Sequence, residues 1–246
     1  MAGGPIRPPG VAHGRPRASS RAVIATPLGN YASQAAKAAT TTIPIVFGVG
    51  DLGLVASLAR PGGNATGVNV FINELLAKRL GLLHDLAPNA VRIAVLHNPD
   101  NPGSAENIRD ITEGARALGL QIAIVNASTN REVEAALANL VRDGADALFV
   151  DADIFFVTQA AQIATLAAHY RIPAAYSNRA YAEVGGLMSY GPDYSETCRQ
   201  VGIYTGQILK GGKPADMPVQ QVTKIELVIN LKTWTCRSDY RPPTTS

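Results

Sequence analysis

The chain has 246 residues, of which 46% are hydrophobic and 17% are charged, and its formal net charge is +3. This length supports one large domain or two smaller ones with real hydrophobic cores. Four arginines fall within the first 21 residues, which hold no acidic residue, so the remainder is close to neutral. The composition therefore excludes a basic stripe for nucleic acid, and no apolar run reaches the roughly 18 residues of a membrane span.

Residues 1–20 are rich in glycine, proline and serine and carry no apolar stretch. We expect this segment to be disordered, and no signal peptide is visible in it. The two cysteines, Cys198 and Cys236, have no metal-ligand spacing, and either a bridge or two free thiols is compatible with the sequence. No cofactor or metal is expected.

From Arg21 onward, short β-branched runs alternate with longer amphipathic runs, a pattern typical of an α/β protein with parallel strands. The predicted strands are RAVIAT, IPIVF, VRIAVLH, LQIAIVNA, DALFVD and IPAAYS. The predicted helical runs are NYASQAAKAAT, LVASLA, NELLAKRLGLLHDLA, SAENIRDITEGARALG, REVEAALANLVRDG and FFVTQAAQIATLAAHYR. Gly119 and Gly144 follow helical runs, where a left-handed residue ends a helix at little cost. Turn-rich stretches at 59–70 and in LKGGKPADMPV are predicted breaks, the first of them a passage between lobes.

Gly48, Gly50 and Gly53 have the G-x-G-x-x-G spacing of a dinucleotide fingerprint. That fingerprint belongs to the first strand of its domain, whereas RAVIAT precedes it here. The acidic residue at the required distance, Glu74, begins a helical run, and the charge of Asp51 would repel a pyrophosphate. We therefore interpret the glycines as a sharp turn into a helix, whose N-terminal N–H groups would face a ligand carboxylate.

Four segments carry a family resemblance: SLARPGGNATGVN, KRLGLLHDLAPNAVRIAVLHNPDNP, IPAAYSNRAYAEVGGLMSYGPD and ILKGGKPADMPVQQVTKIELVINLKT. Together they resemble the ABC-transporter substrate-binding proteins of the periplasmic-binding-protein-like class I fold, over roughly residues 21–233. The resemblance implies two Rossmann-like lobes with parallel sheets, joined by three crossover segments. It also implies a small ligand, an amino acid in some members, that closes between the lobes, a membrane permease as partner, and a periplasmic location.

The chain departs from the family pattern at both ends and in a shortened glycine loop. On this basis we expect an incomplete first lobe formed by residues 21–70 and 192–220. The second lobe is expected to comprise residues 71–191 and 221–233, followed by an irregular tail at 234–246.

Ligands of open parallel sheets bind beyond the carboxyl ends of the strands. The residues predicted there to bind the ligand are Thr26, Phe47, Asp51, Asn98, Asn101, Asp151, Asp153, Phe155, Tyr176 and Tyr190. A carboxylate of this set would pair with a ligand ammonium, and an aromatic ring would cover the rest of the ligand. Alternatively, Asp153 caps the next helix, Phe155 and Phe156 fill the core, the asparagines form turns, and Tyr190 packs at a hinge.

These observations predict a solute-binding protein without catalytic activity. The alternative is a Rossmann-like enzyme acting on a small molecule or nucleotide, with Asp151 and Asp153 as an acid–base pair. The four histidines are far apart, and neither a nucleophile elbow nor a Walker loop is present. A ligand-sensing module is a third reading, although no helix-turn-helix pattern supports a repressor.

Overall fold

The computed structural model describes residues 22–50, 53–70 and 73–235. The predictions for residues 1–20, for Asp51 and for Cys236 lie outside these ranges, as does most of the predicted tail. In chain order the strands are β1 (Ile24–Thr26), β2 (Ile45–Val49), β3 (Ala65–Asn69), β4 (Arg92–His97), β5 (Gln121–Asn126), β6 (Ala147–Val150), β7 (Ala174–Tyr176), β8 (Met188–Pro192), β9 (Gln220–Gln221) and β10 (Ile225–Ile229). The helices are α1 (Asn30–Ala39), α2 (Asn73–Leu86), α3 (Ser104–Ala117), α4 (Asn130–Leu140), α5 (Ile154–Thr158), α6 (Ala160–His169), α7 (Arg179–Glu183), α8 (Tyr194–Leu209) and α9 (Leu231–Thr235).

The first lobe is a parallel sheet in the order β1-β2-β3-β9, with a helix on each face. Helix α1 contributes Ala36 to one apolar cluster, which also contains Ile45 and Phe47. Helix α8 contributes Val201 and Tyr204 to a second cluster on the opposite face. Because both faces are covered, β2 and β3 are buried along their whole length, as expected for parallel strands.

Strand β3 lies within the stretch that the sequence predicts as a turn-rich passage, so that prediction is wrong for residues 65–69. Gly67 misleads because glycine usually weakens a strand. Here it allows a close approach of two backbones, since a Cβ atom at this position would lie 2.0 Å from the carbonyl oxygen of Phe47. The glycine is therefore required by the packing of β3 against β2.

The second lobe is a sheet in the order β10-β8-β7-β6-β4-β5, in which only β10 runs antiparallel to its neighbour. Helices α2 and α3 cover one face with an apolar cluster that includes Leu80, Leu83 and Ile111. Helices α4 and α6 cover the other face around Leu137, Phe156 and Ile163. The predicted α/β fold with two Rossmann-like lobes is confirmed.

Two predicted helices need correction. Residues 54–59 form bends rather than a helix, because the run is short, Gly53 before it has φ 64°, and the Ser57 hydroxyl accepts a hydrogen bond from Arg60 N–H. The run beginning at Phe155 is divided into α5 and α6 at Gln159. The left-handed helix ends at Gly119 and Gly144 are confirmed, with φ values of 71° and 72°.

The element order takes the chain from one sheet to the other after β3, between β8 and α8, and between β9 and β10. The last two passages are tied together, because Asp193 N–H donates to the carbonyl of Lys224 at 3.0 Å. The Lys224 ammonium also donates to the Asp193 carboxylate at 2.6 Å. This hydrogen bond, followed by those from the first turn of α8, holds the pKa of Asp193 below its ordinary value.

Candidate functional site

A cavity of about 90 Å³ lies between the two lobes, beyond the carboxyl ends of their strands. We call it the interlobe cavity. The first lobe contributes Leu28, Gly29, Asn30, Gly48, Val49, Gly50 and Val70; the second contributes Asn101, Ala152, Asp153, Ile154, Val157, Ser177 and Asn178; Tyr194 lines it at a passage between lobes. Among these described residues Asp153 is the only charged one, so the cavity suits a ligand that carries a positive group.

Helix α1 begins at the wall of the interlobe cavity. Its N-cap is Gly29, with φ 127°, and no side chain caps the helix. The first backbone N–H groups of a helix have no partner within it and attract negative charge. The Ser33 hydroxyl holds this turn in place by donating to the Gly29 carbonyl at 3.1 Å, and it also contacts the Thr26 hydroxyl at 2.9 Å.

Asp153 lies at the N-cap of α5, with 6% of its surface exposed. One carboxylate oxygen accepts from Phe155 N–H at 2.6 Å, and the other accepts from the Asn98 amide at 3.0 Å. Burial raises the pKa of the Asp153 carboxyl above its ordinary value, and these hydrogen bonds oppose the shift only in part. An incoming cation would relieve the cost of burying this charge.

Asp151 has a different role. Its carboxylate accepts from the Asn107 amide at 3.0 Å and from Ala152 N–H at 2.7 Å, and it contacts His97 Nδ1 at 3.3 Å. It does not line the interlobe cavity. Its bonds fix the backbone of the loop that carries Ala152 and Asp153, so its effect on a ligand is indirect.

Two asparagines of the second lobe join it to α1 of the first. The Asn30 amide donates to the Pro102 carbonyl at 2.9 Å and, at the longer distance of 3.4 Å, to Asn101 Oδ1. The Asn98 amide donates to the Tyr31 hydroxyl at 3.1 Å. Since Asn101 also donates to the Ala152 carbonyl at 3.1 Å, the contacts across the cleft continue into the loop that holds Asp153.

Nine of the ten predicted site residues are described by the structure, and two of these nine line the cavity wall, namely Asn101 and Asp153. Asn98 and Asp151 contact that wall from behind. Thr26 orders the start of α1, and Asp51 lies outside the described residues. The remaining four pack in apolar clusters of the two lobes: Phe47, Phe155, Tyr176 and Tyr190.

Several wall residues are not among the ten predicted ligand-binding residues. Asn30 begins α1 after strand β1, and Tyr194 begins α8 at a passage between the lobes. The first position of a helix that follows a strand end is the signal that could have identified both residues. Ser177, with 4% of its surface exposed, and Tyr194 are the hydroxyl-bearing residues of the described cavity wall. Burial raises the pKa of the Tyr194 hydroxyl, which therefore remains a neutral donor.

Arg79 is a further buried charge, on the α2 face of the second lobe. Its guanidinium lies 4.3 Å from the centre of the Phe149 ring, while Nε and Nη2 have no hydrogen-bond partner among the described residues. Burial lowers the pKa of Arg79 to about 10, and the nearby Asp151 charge opposes that shift. Within the described ranges, no three side chains of the His, Cys, Asp and Glu types are grouped as a metal site.

Comparison with known proteins identifies the family to which the chain belongs. Residues 18–236 match the family of ABC transporter substrate binding proteins, and the chain belongs to that family. A tyrosine-binding protein of Clostridioides difficile is 30% identical over 211 residues, which cover 84% of this chain. The matched region spans only 59% of that relative's length.

Solved structures agree with this assignment. The crystal structure of an ABC domain of Streptococcus pneumoniae in complex with L-Trp superposes with a TM-score of 0.76 at 26% identity, covering 92% of this chain and 76% of that one. A conserved domain protein of Vibrio cholerae gives the same TM-score and identity, over 84% of this chain and 70% of that one. A ligand-free, open substrate-binding protein of Clostridium difficile, 28% identical, superposes with a TM-score of 0.59 over 87% of this chain and 72% of that one. The predicted periplasmic-binding-protein type I fold is thus confirmed.

Proposed function

We propose that this protein is the solute-binding component of an ABC-type uptake transporter and holds an amino acid or similar small molecule without changing it chemically. The observation that carries the proposal is the interlobe cavity, whose wall comes from the strand ends of both lobes. Delivery to a membrane permease and a periplasmic location belong to the same proposal. No helix within the described ranges has the length and apolar character to cross a membrane.

Binding would work by closure of the two lobes. Ligand contacts from both walls exist together only when the lobes are shut, so a ligand shifts the population toward that state. The hydrogen bonds of Asn30 and Asn98 across the cleft belong to the shut arrangement. Consistent with it, the superposition with the L-Trp complex is better than that with the open, ligand-free protein.

Asp153 is proposed as the group that receives a ligand ammonium, with Asn30, Asn101 and Asn178 as further polar contacts. Asp151 and Asn98 are proposed as positioning residues, since both act through the loop and the side chain of Asp153. Asp151 and Asp153 are not proposed as an acid–base pair, because only Asp153 lines the interlobe cavity.

A thermal-shift screen with the twenty amino acids, small carboxylates and NAD tests the proposal. At least one ammonium-bearing compound should raise the melting temperature of the wild type. Asp153→Asn should abolish that shift, because asparagine retains the helix cap but lacks the charge. Asp143→Asn, an exposed site remote from the cavity, is the matched control and should behave as wild type. Stabilisation by NAD alone would contradict the proposal.

A further inference from the structure

Strand β5 forms one edge of the sheet in the second lobe. Within the described ranges, β4 is the only strand that pairs with it. The backbone N–H groups of Gln121 and Ala127 donate toward β4, at 2.8 Å and 2.9 Å. Because successive residues of a strand direct their backbone groups to opposite sides, those of Ile122, Ile124 and Asn126 point away from β4. This row of outward groups can accept a further strand.

The other sheet edges in the described part of the chain are poorly suited to further pairing. In the first lobe, the edge strands β1 and β9 have only three and two residues. At the far edge of the second lobe, β10 contains Glu226 and follows Lys224, and both side chains form ion pairs. Short edge strands and charged side chains are common means by which proteins prevent edge-to-edge association. Strand β5 has neither feature.

The side chains of β5 also favour an added strand. The strand has six residues, none of them charged and none a proline, and the uncharged stretch extends over residues 117–130. Ile122 packs against the apolar cluster of α2 and α3, whereas Val125 packs against the cluster on the opposite face. Ile124 lies on the same face as Ile122, and 49% of its surface is exposed. A long, uncharged edge with an exposed isoleucine is a template for strand pairing.

The outward backbone groups fit a second copy of the same strand. An antiparallel β5 related by a twofold axis at Ile124 places the two Ile124 residues opposite each other. The same register places Ile122 of each copy opposite Asn126 of the other. Every outward-pointing residue of β5 is then in a hydrogen-bonded pair that exchanges two N–H···O bonds. A shift of two residues in either direction leaves one of these residues in each copy without a partner in β5, so the centred register is the best one.

We propose that two copies of this protein associate through β5, so that their second-lobe sheets join into one continuous sheet about a twofold axis. The exposed Ile124 side chains of the two copies then cover each other on the face that α2 and α3 occupy. A twofold contact of this kind uses the same surface on both copies, so association ends at a dimer. No residue of β5 is among the described lining residues of the interlobe cavity, so both copies keep that cavity accessible.

Sedimentation velocity of the full chain, from low to high micromolar concentration, tests the association. The wild type should change from monomer to dimer as its concentration rises. Ile124→Lys places two like charges opposite each other and should raise the dimer dissociation constant at least about tenfold. Leu209→Lys, at an exposed leucine that ends α8 in the first lobe, is the matched control and should associate as the wild type does. A wild type that stays monomeric over the whole range would overturn the proposal.

Cross-linking tests the register, in a background that carries Cys198→Ser and Cys236→Ser. Ile124→Cys places two thiols on residues whose Cα atoms are about 5.5 Å apart, so a short thiol-to-thiol cross-linker should join the two copies. Asn126→Cys lies on the same exposed edge, but its two copies are about 14 Å apart along the strands and should not be joined. A dimer in which Ile124→Cys is joined no better than Asn126→Cys, or which Ile124→Lys does not weaken, would overturn pairing through β5.

Discussion

Asp151 and Asp153 are two residues apart after β6, and their surroundings assign them different tasks. Asp151 has 2% of its surface exposed and accepts hydrogen bonds from Asn107 and from the backbone of Ala152. Asp153 lines the interlobe cavity. Burial raises the pKa of its carboxyl, because burial disfavours the charged form. A nearby cation stabilises the charged form of a buried carboxylate more than that of a solvated carboxylate.

This pKa gives a pH dependence for ligand binding. Asp153 attracts an ammonium only when ionised, and its pKa is raised, so it takes up a proton at a higher pH than an ordinary aspartate. Affinity for an ammonium-bearing ligand should therefore be highest near neutral pH. It should fall as the pH is lowered into the acidic range, at a higher pH than that at which an ordinary exposed aspartate takes up its proton.

Titration calorimetry between neutral and mildly acidic pH measures this effect. The ligand ammonium stays protonated throughout that range, so the loss reports on the protein. Asp143→Asn should retain the wild-type profile. An affinity that is flat over the whole range would remove Asp153 from the ammonium contact.

At the residue scale, the sequence could predict the strand ends but not which side chains reach the cavity. Asn101 and Asp153 follow predicted strands, and both line the wall. Phe47 and Tyr190 also lie on strands near the cleft, but their side chains point into the apolar clusters. A shift of one residue along a strand reverses the face on which a side chain lies, and composition alone does not determine that register.

At the scale of elements, alternation of apolar and amphipathic runs located most strands and helices, including β4, β5 and β6 in the second lobe. The same pattern did not predict β3, because this segment contains turn-forming residues. Strand β3 is nevertheless buried within the sheet of the first lobe. Tertiary packing against β2 overrides the local preference there, as strand propensity depends strongly on context.

Substitution of Gly67 tests whether close packing against β2 is what allows the β3 strand to form. Alanine at this position would place its Cβ 2.0 Å from the Phe47 carbonyl oxygen, so Gly67→Ala should lower the free energy of unfolding by about 3 kcal/mol. Gly202 is an exposed residue inside α8, where an added methyl group would meet no other atom within 4 Å. Gly202→Ala should therefore raise the free energy of unfolding by about 0.5–1 kcal/mol, since alanine is the better helix former. Urea unfolding compares the two, and an unchanged midpoint for Gly67→Ala would contradict the close approach of β2 and β3.

At the scale of the whole molecule, two sets of contacts govern how the lobes move. Asp193 and Lys224 tie two of the passages between lobes into one hinge unit. At the open side of the cleft, α1 meets the second lobe through Asn30 and Tyr31. The α1 contacts would add stability only to the shut arrangement, in which they form.

A substitution at Tyr31 tests the effect of lobe closure apart from ligand contact. Tyr31 accepts a hydrogen bond from Asn98 across the cleft but does not line the interlobe cavity. Tyr31→Phe removes the acceptor of one hydrogen bond, worth about 1 kcal/mol, and leaves the cavity wall unchanged. The ratio of shut to open molecules should then fall about fivefold, and amide hydrogen exchange in residues 98–102 should become faster in the ligand-free protein. Affinity for the amino acid found in the thermal-shift screen should fall in proportion to the shut fraction of the ligand-free protein, mainly through faster dissociation.

The matched control is Tyr170→Phe, which removes a hydroxyl from a half-buried tyrosine packed against the α4 and α6 side of the second lobe. It should leave both exchange at 98–102 and ligand dissociation at wild-type values. Because Tyr31 acts on closure, the loss of affinity should equal the loss of shut fraction that the exchange rates give. A loss of affinity with unchanged exchange would instead mean that the hydroxyl contacts the ligand, and the contact between α1 and Asn98 would then not control closure.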